Sequence, residues 1–181
     1  EESGRNLAWF FDQWLHRGGH PELKVNREWD AAAKALLLTV EQVQEEDGVT
    51  PRAFRIPTVL EIVVGVRRLR LPIDLKERRE TIQIPLPSEP RYVALDPKHD
   101  VLKLMEFPRS GEELLFGLSR SPFALERVRC ARELGARADR EAVAALFRAA
   151  RRDRFWGVRI AALATLGEIG ARNPRLIARV A

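Results

Sequence analysis

In the stretch "WLHRGGHPELKV", His16 and His20 stand in an H-x-x-x-H arrangement, the spacing at which a helix presents two imidazoles to one zinc ion. The residues between them argue against that chemistry. Gly18 and Gly19 separate the two histidines and Pro21 follows, so the helix that carries His16 is expected to end before His20. A zinc protease also needs Glu directly after the first His as its general base, and that position is Arg17. The favoured reading is a helix end that turns into a strand. The third histidine, His99, is not spaced to join a zinc motif.

Other residue groups invite chemistry and are read more plainly. "EEDG" at 45–48 is expected to be an acidic hairpin turn, because its carboxylates lack the further spacing of a calcium loop. Arg137, Arg140, Arg148, Arg151, Arg152, Arg154 and Arg159 fall within 23 residues, a density that could follow a phosphate backbone. Glu133, Asp139, Glu141 and Asp153 are interspersed and no aromatic stacking platform accompanies them, so a solvated face is preferred over a nucleic-acid partner. Phe155 and Trp156 are expected to fill the packing between helices, and Trp9, Trp14 and Trp29 to act as packing anchors in other elements.

Composition sets the frame. The chain has 181 residues, 45% hydrophobic and 31% charged, which is ordinary for a globular protein able to bury a core. Its single cysteine, Cys130, excludes an internal disulfide and fits a reducing compartment, so a cytoplasmic location is expected. No apolar run reaches the roughly 18 residues of a membrane span, and no membrane partner is expected. Residues 1–107 carry 16 Lys+Arg against 18 Asp+Glu; residues 108–181 carry 15 against 8, a net of +7 in which every basic residue is arginine.

The elements that must position these residues change character at the same place as the charge. Leu7, Phe10, Phe11, Trp14 and Leu15 follow an i, i+3, i+4, i+7, i+8 stripe, which predicts a helix from Asn6 to His16 that buries one face. From Leu23 to about Phe107 the period is two. "TIQIPLP" sets Ile82, Ile84 and Leu86 against Thr81, Gln83 and Pro85, and "ALLLTVEQVQ" and "FRIPTVLEIVVGV" are further β-rich runs. Strands without intervening helices predict an antiparallel β-sandwich, with Pro57, Pro72, Pro85, Pro87 and Pro90 at edges or strand starts.

From Pro108 onward, "EELLFGLSR", "PFALERVRCARELG", "DREAVAALFRAARRD", "FWGVRIAALATLGEIG" and "NPRLIARVA" read as five helices. Val128-Arg129-Cys130-Ala131 recurs 30 residues later as Val158-Arg159-Ile160-Ala161, and Gly135-Ala136-Arg137 recurs after 35 as Gly170-Ala171-Arg172. Helix pairs at that spacing are an α-solenoid signature and resemble HEAT repeats. Cys130, matched by Ile160, is expected to be a buried small hydrophobe rather than a reactive thiol. Arg129 and Arg159 are expected to hold acids or helix ends in adjacent turns, Asp153 being the natural partner. The expected fold class is multidomain β plus α, an antiparallel β-sandwich followed by HEAT-like α-solenoid helices. Its divisions are residues 1–22, 23–107 and 108–181.

Taken in order, "FFDQWLHRGGHPELKV", "LTVEQVQ", "IPLP", "VALDPKHDVL" and "DRFWGVRIAALATLG" resemble the C-terminal half of the zinc-dependent aminopeptidase N family, the gluzincin aminopeptidases, over essentially the whole chain. The resemblance implies that Phe11, Trp14 and Leu15 close a thermolysin-like catalytic domain and that Gly19 and Pro21 form the turn into the sandwich. It also implies that the helices arch over a catalytic face. The family's H-E-x-x-H motif and its G-A-M-E-N-like loop have no counterpart in these residues; Met105 stands in "KLMEFP", read as a strand end. The resemblance therefore implies no catalytic, cofactor-binding or metal-ligating residue in this chain, with zinc held only by the parent enzyme. The implied partners are the chain's own catalytic domain and the parent's peptide substrates. Starting at Glu1 and stopping after barely two repeats, the chain is expected to be a fragment, inactive alone. The alternative is a stand-alone sandwich and HEAT adaptor that binds nucleic acid or a protein partner.

Overall fold

Along β2 (Ala35–Gln42), Leu36, Leu38 and Val40 are buried, while Leu37, Thr39 and Glu41 between them are half-buried. The period of two that predicts a strand is the period at which that strand meets a core. In the computed structural model, which describes residues 6–178, β2 lies between β1 (Glu22–Asp30) and β5 (Arg79–Pro85) and is antiparallel to both. Val25 stands opposite Val40, and Leu38 opposite Ile82. β7 (Leu104–Glu106) completes this sheet in the order β5-β2-β1-β7. A second sheet, from β3 (Ile56–Val64), β4 (Arg67–Leu75) and β6 (Tyr92–Leu95), has the order β4-β3-β6.

Two details depart from the expected all-antiparallel sandwich. β7 runs parallel to β1, because the chain reaches it from β6 in the other sheet rather than through a hairpin that would reverse its direction. "EEDG" is not a hairpin turn, since β2 and β3 belong to different sheets and residues 43–55 connect them. There Asp47 Oδ1 accepts from the Val49 and Thr50 amides at 3.0 and 2.7 Å, a local side-chain turn that holds its carboxyl below the usual range. Pro72 and Pro85 fall as expected in β4 and β5, each at the edge of its sheet, and Pro57 is the second residue of β3, the central strand of its sheet; Pro87 and Pro90 lie between β5 and β6, outside any strand.

The predicted N-terminal helix forms, but with its stripe facing outward. α1 (Ala8–Phe11) continues as a π-helical turn, Asp12–His16, and Leu7, Phe10, Phe11 and Leu15 are exposed. The buried residue is Gln13, whose amide donates to Arg55 O at 3.0 Å and accepts from Arg55 N at 2.6 Å. Trp14 packs on Phe54. Only Leu15 of the exposed stripe falls within the π-turn, whose wider spacing departs from the 3.6-residue register; Leu7, Phe10 and Phe11 precede it.

All five predicted C-terminal helices are present: α2 (Gly111–Arg120), α3 (Ala124–Glu133), α4 (Arg140–Arg152), α5 (Trp156–Arg172) and α6 (Pro174–Ala178). A capping box starts α2. Ser110 Oγ accepts from Glu113 N at 3.2 Å, and Glu113 Oε2 accepts from Ser110 N at 3.0 Å. Asp139 caps α4 by accepting from Ala142 N at 2.8 Å. Leu118, Cys130, Leu134, Leu146, Val158 and Ile169 belong to the shared core of these helices. Gly117 lets α2 approach closely, since a Cβ there would run into Cys130 Sγ.

The residues fall into two compact units. Among the described residues, one unit holds 6–60 with Val64–Pro90 and Asp100–Pro108; the other holds Glu61–Val63, Arg91–His99 and 109–178. The segment around β6 thus groups with the helices although its sequence reads as strand.

Candidate functional site

The most concentrated chemistry lies in the helical unit, around Glu126 of α3, which is fully buried. Its Oε1 accepts from the Tyr92 hydroxyl at 2.8 Å and from Arg109 Nη1. Arg109, itself 1% exposed at its side chain, also reaches Glu133 Oε2 at 2.9 Å, and Arg129 Nε meets Glu133 Oε1 at 2.6 Å. His99 Nε2 stands 3.4 Å from Glu126 Oε2. His99 is held there with a positive φ of 58°. Cys130 Sγ lies 3.7 Å from Glu126 Oε1.

Electrostatics pull these groups away from catalytic use at neutral pH. Burial alone would raise the Glu126 carboxyl, but the imidazole of His99, the charge of Arg109, the Tyr92 hydroxyl and Arg129 outweigh it and hold it down at about 2. Burial, followed by the Glu126 charge, pushes the Tyr92 phenol up. Burial likewise pushes the Cys130 thiol up, which suppresses the thiolate that would be the nucleophile. The cluster is a buried ionic hub that ties three separate stretches of chain to α3.

A second ionic lock repeats the device. Arg127 Nε and Nη2 each meet a carboxylate oxygen of Asp153 at 2.8 Å, and Arg127 Nη1 donates to Ser121 O at 3.1 Å. Asp153 Oδ1 also accepts from Phe155 N at 2.9 Å, at the entry to α5. The expectation for the repeated arginines is met in kind: Arg129 takes an acid, Glu133, while Arg159 takes a helix end, the carbonyl of Asp153 at 2.9 Å. The side chain of Asp153, however, goes to Arg127, which sequence reasoning missed.

Two repeat-based expectations need correction. Cys130 is buried, but its repeat partner Ile160 is 57% exposed, and Trp156 is 61% exposed. Together with Leu125 and Val128 they line an open groove of about 550 Å³ between α3 and α5. Ile160 and Trp156 thus lie on a face of α5 turned away from the shared helical core.

In the other unit the buried polar groups are neutral amides. Gln42 Nε2 donates to Phe54 O and its Oε1 accepts from Phe54 N, both at 2.8 Å. Gln44 Nε2 donates to Pro51 O and Arg52 O at 3.2 Å. With Gln13 on Arg55, three glutamines stand in for a missing strand ladder along the connection between β2 and β3. Beside it, Trp9, Phe10, Trp14, Ile56, Pro57 and Leu102 line an apolar recess of about 450 Å³, with Arg55 bound to Asp74 at 2.7 Å and stacked over Trp9.

The helical segment that carries His16 ends at that residue, and Arg17 is already extended, so the two histidines do not share a helix. His20 instead lies 3.9 Å from Glu22. Among the described residues no group of three or more His, Cys, Asp and Glu is placed to hold a metal ion. No helix among them is long and apolar enough to cross a membrane.

Comparison with known proteins bears on both halves. Residues 111–180 match the family described as HEAT repeats. No curated protein sequence matches the chain. Among solved structures, aminopeptidase A of Legionella pneumophila in complex with aspartic acid shares the fold, with a TM-score of 0.66 at 18% identity. That match covers 91% of this chain and 20% of the Legionella chain, so this chain spans a fifth of its structural relative. The fold is thus two antiparallel-rich sheets followed by HEAT-repeat helices, an arrangement also present within an aminopeptidase.

Proposed function

We propose that this chain is the non-catalytic, C-terminal portion of a zinc metallo-aminopeptidase, in which the sandwich is a spacer and the helices form part of the cover over the active site. The observation that carries the reading is the fold likeness to an aminopeptidase, which takes in nearly all of this chain but only a fifth of the other. The N-terminal helix supports it. Of the residues that the family resemblance assigns to the end of a catalytic domain, Phe11 and Leu15 are exposed, as are Leu7 and Phe10 beside them, and an apolar stripe of that kind is costly to leave in water. The residues that could react in the helical unit are instead buried and neutralised in the ionic hub. A cover of this kind acts by excluding water and orienting the peptide, so it affects turnover without donating a reacting group.

Zinc belongs, in this reading, to the parent's catalytic domain, as do the peptide substrates. The reading frame upstream of the Glu1 codon tests the proposal. It should encode H-E-x-x-H followed by a further Glu about 20 residues on; a start codon at Glu1 would overturn it.

A further inference from the structure

In the ionic hub the two oxygens of Glu126 have different company. Oε1 is taken by the Tyr92 hydroxyl and by Arg109, whereas Oε2 faces His99 Nε2 at 3.4 Å. The carboxylate is fully buried and the imidazole is 29% exposed, so His99 is the member of the pair that meets water.

The backbone holds His99 in that position. Its amide donates to Asp96 O at 2.9 Å, closing a turn in which Asp96 and His99 both have positive φ, 49° and 58°. Residues other than glycine keep this left-handed conformation where surrounding contacts fix it. Tyr92, at the start of β6, and His99, four residues beyond its end, thus fasten one stretch of chain to a single carboxylate of α3.

The titratable and charged groups of this cluster come from every element around it. Tyr92 belongs to β6, Arg109 to the segment before α2, and Glu126, Arg129, Cys130 and Glu133 to α3. Asp96 and Lys98 share the turn with His99, and Asp100 follows it. The Glu126 carboxyl is held at about 2, and burial pushes the Tyr92 phenol and the Cys130 thiol up, so these three keep their charge states around neutrality. The arginines stay charged throughout. An imidazole is the side chain that ordinarily changes charge between about pH 5 and 8. Neutral, it can offer Oε2 an uncharged hydrogen bond at most; protonated, it makes the same contact charge-assisted and roughly twice as strong.

We infer that the turn after β6 is a proton-operated latch: the protonated His99 imidazole pairs with Glu126 Oε2 and fastens the turn to α3, and loss of that proton loosens it. The contact is charged at the acid side of the imidazole range and loses its charge as pH rises through it. This device stands independently of the peptidase reading.

The test is amide hydrogen exchange of the whole chain, followed by nuclear magnetic resonance, with each rate divided by its intrinsic rate at the same pH. The His99 amide should be at least about threefold better protected near pH 6 than near pH 8, while the amides of β2, in the other unit, show no such ratio. His99→Asn retains a residue type that tolerates positive φ but removes the ionisable ring, and should bring the ratio to about one. Glu126→Gln keeps the shape of the side chain without its charge and should do the same. Equal protection at the two pH values in the unaltered chain, the same ratio in β2, or a ratio that survives in either variant would overturn the inference.

Discussion

The two units solve one problem with different chemistry. Both bury polar groups that must be paired, since an unpaired buried donor or acceptor costs about 1–3 kcal/mol. The sheet unit uses neutral glutamine amides, with Gln13, Gln42 and Gln44 each holding backbone of the connection that leaves the β2 strand. The helical unit uses ion pairs, Arg109 with Glu126 and Arg127 with Asp153. An amide gives and accepts at one backbone position and is indifferent to pH. A buried ion pair binds tightly only while both partners are charged, and removing one partner strands the other.

The comparison breaks most visibly at Glu126. Glu126→Ala unpairs the buried Tyr92 hydroxyl and leaves Arg109 with Glu133 as its one remaining acid, and should cost about 3 kcal/mol in urea unfolding followed by circular dichroism. Arg109→Ala should cost a similar amount, and the double variant less than the sum of the two. Arg127→Ala strands Asp153, whose side chain is 10% exposed, and should cost about 3 kcal/mol by the same measurement.

Acid should separate the two units without any mutation. The Glu126 carboxyl is held at about 2 and that of Asp153 below its ordinary value, where Arg127 and the Phe155 amide outweigh burial. A depressed carboxyl contributes stability that is present above its unfolded value near 4 and is lost as pH falls toward the folded value. Hydrogen exchange should therefore show the helical amides losing protection between about pH 4.5 and 2, ahead of those held by the glutamines. In the sheet unit, Gln42→Ala unpairs both polar groups of Phe54 and should cost about 1–3 kcal/mol, with no change in that acid profile. At the small end, Thr81→Val removes a surface cross-strand contact of 2.9 Å with Thr39 and should change stability by no more than about 0.5 kcal/mol.

The same contrast explains what could be read in advance. Hydrophobic period carried the strands and helices, so β2, β5 and all five C-terminal helices stand where Leu36, Leu38, Ile84, Leu118 and Leu146 predict them. Capping by Ser110 and Asp139 is local and equally legible. Side-chain partners across long separations are not. Nothing in the chain's period marks Gln13 for Arg55, 42 residues away, or Arg127 for Asp153 rather than Arg159. Tyr92 and His99 sit in a strand-like stretch, and only folding brings them to Glu126. The N-terminal stripe marks a helix but not the side it faces: Leu7, Phe10 and Phe11 are exposed ahead of the π-turn, and Leu15 within it. Ile160 and Trp156 show the limit of a repeat argument: Cys130 is fully buried while Ile160, its repeat equivalent, is 57% exposed.

The most direct test of the proposed role is aminopeptidase activity, measured as release of a fluorogenic leaving group from an N-terminal leucine amide in the presence of zinc. This chain alone should release none, and the longer protein encoded by its full reading frame should release it in a chelator-sensitive manner. Turnover by this chain alone, or a full-length protein that is inactive with zinc, would contradict the account.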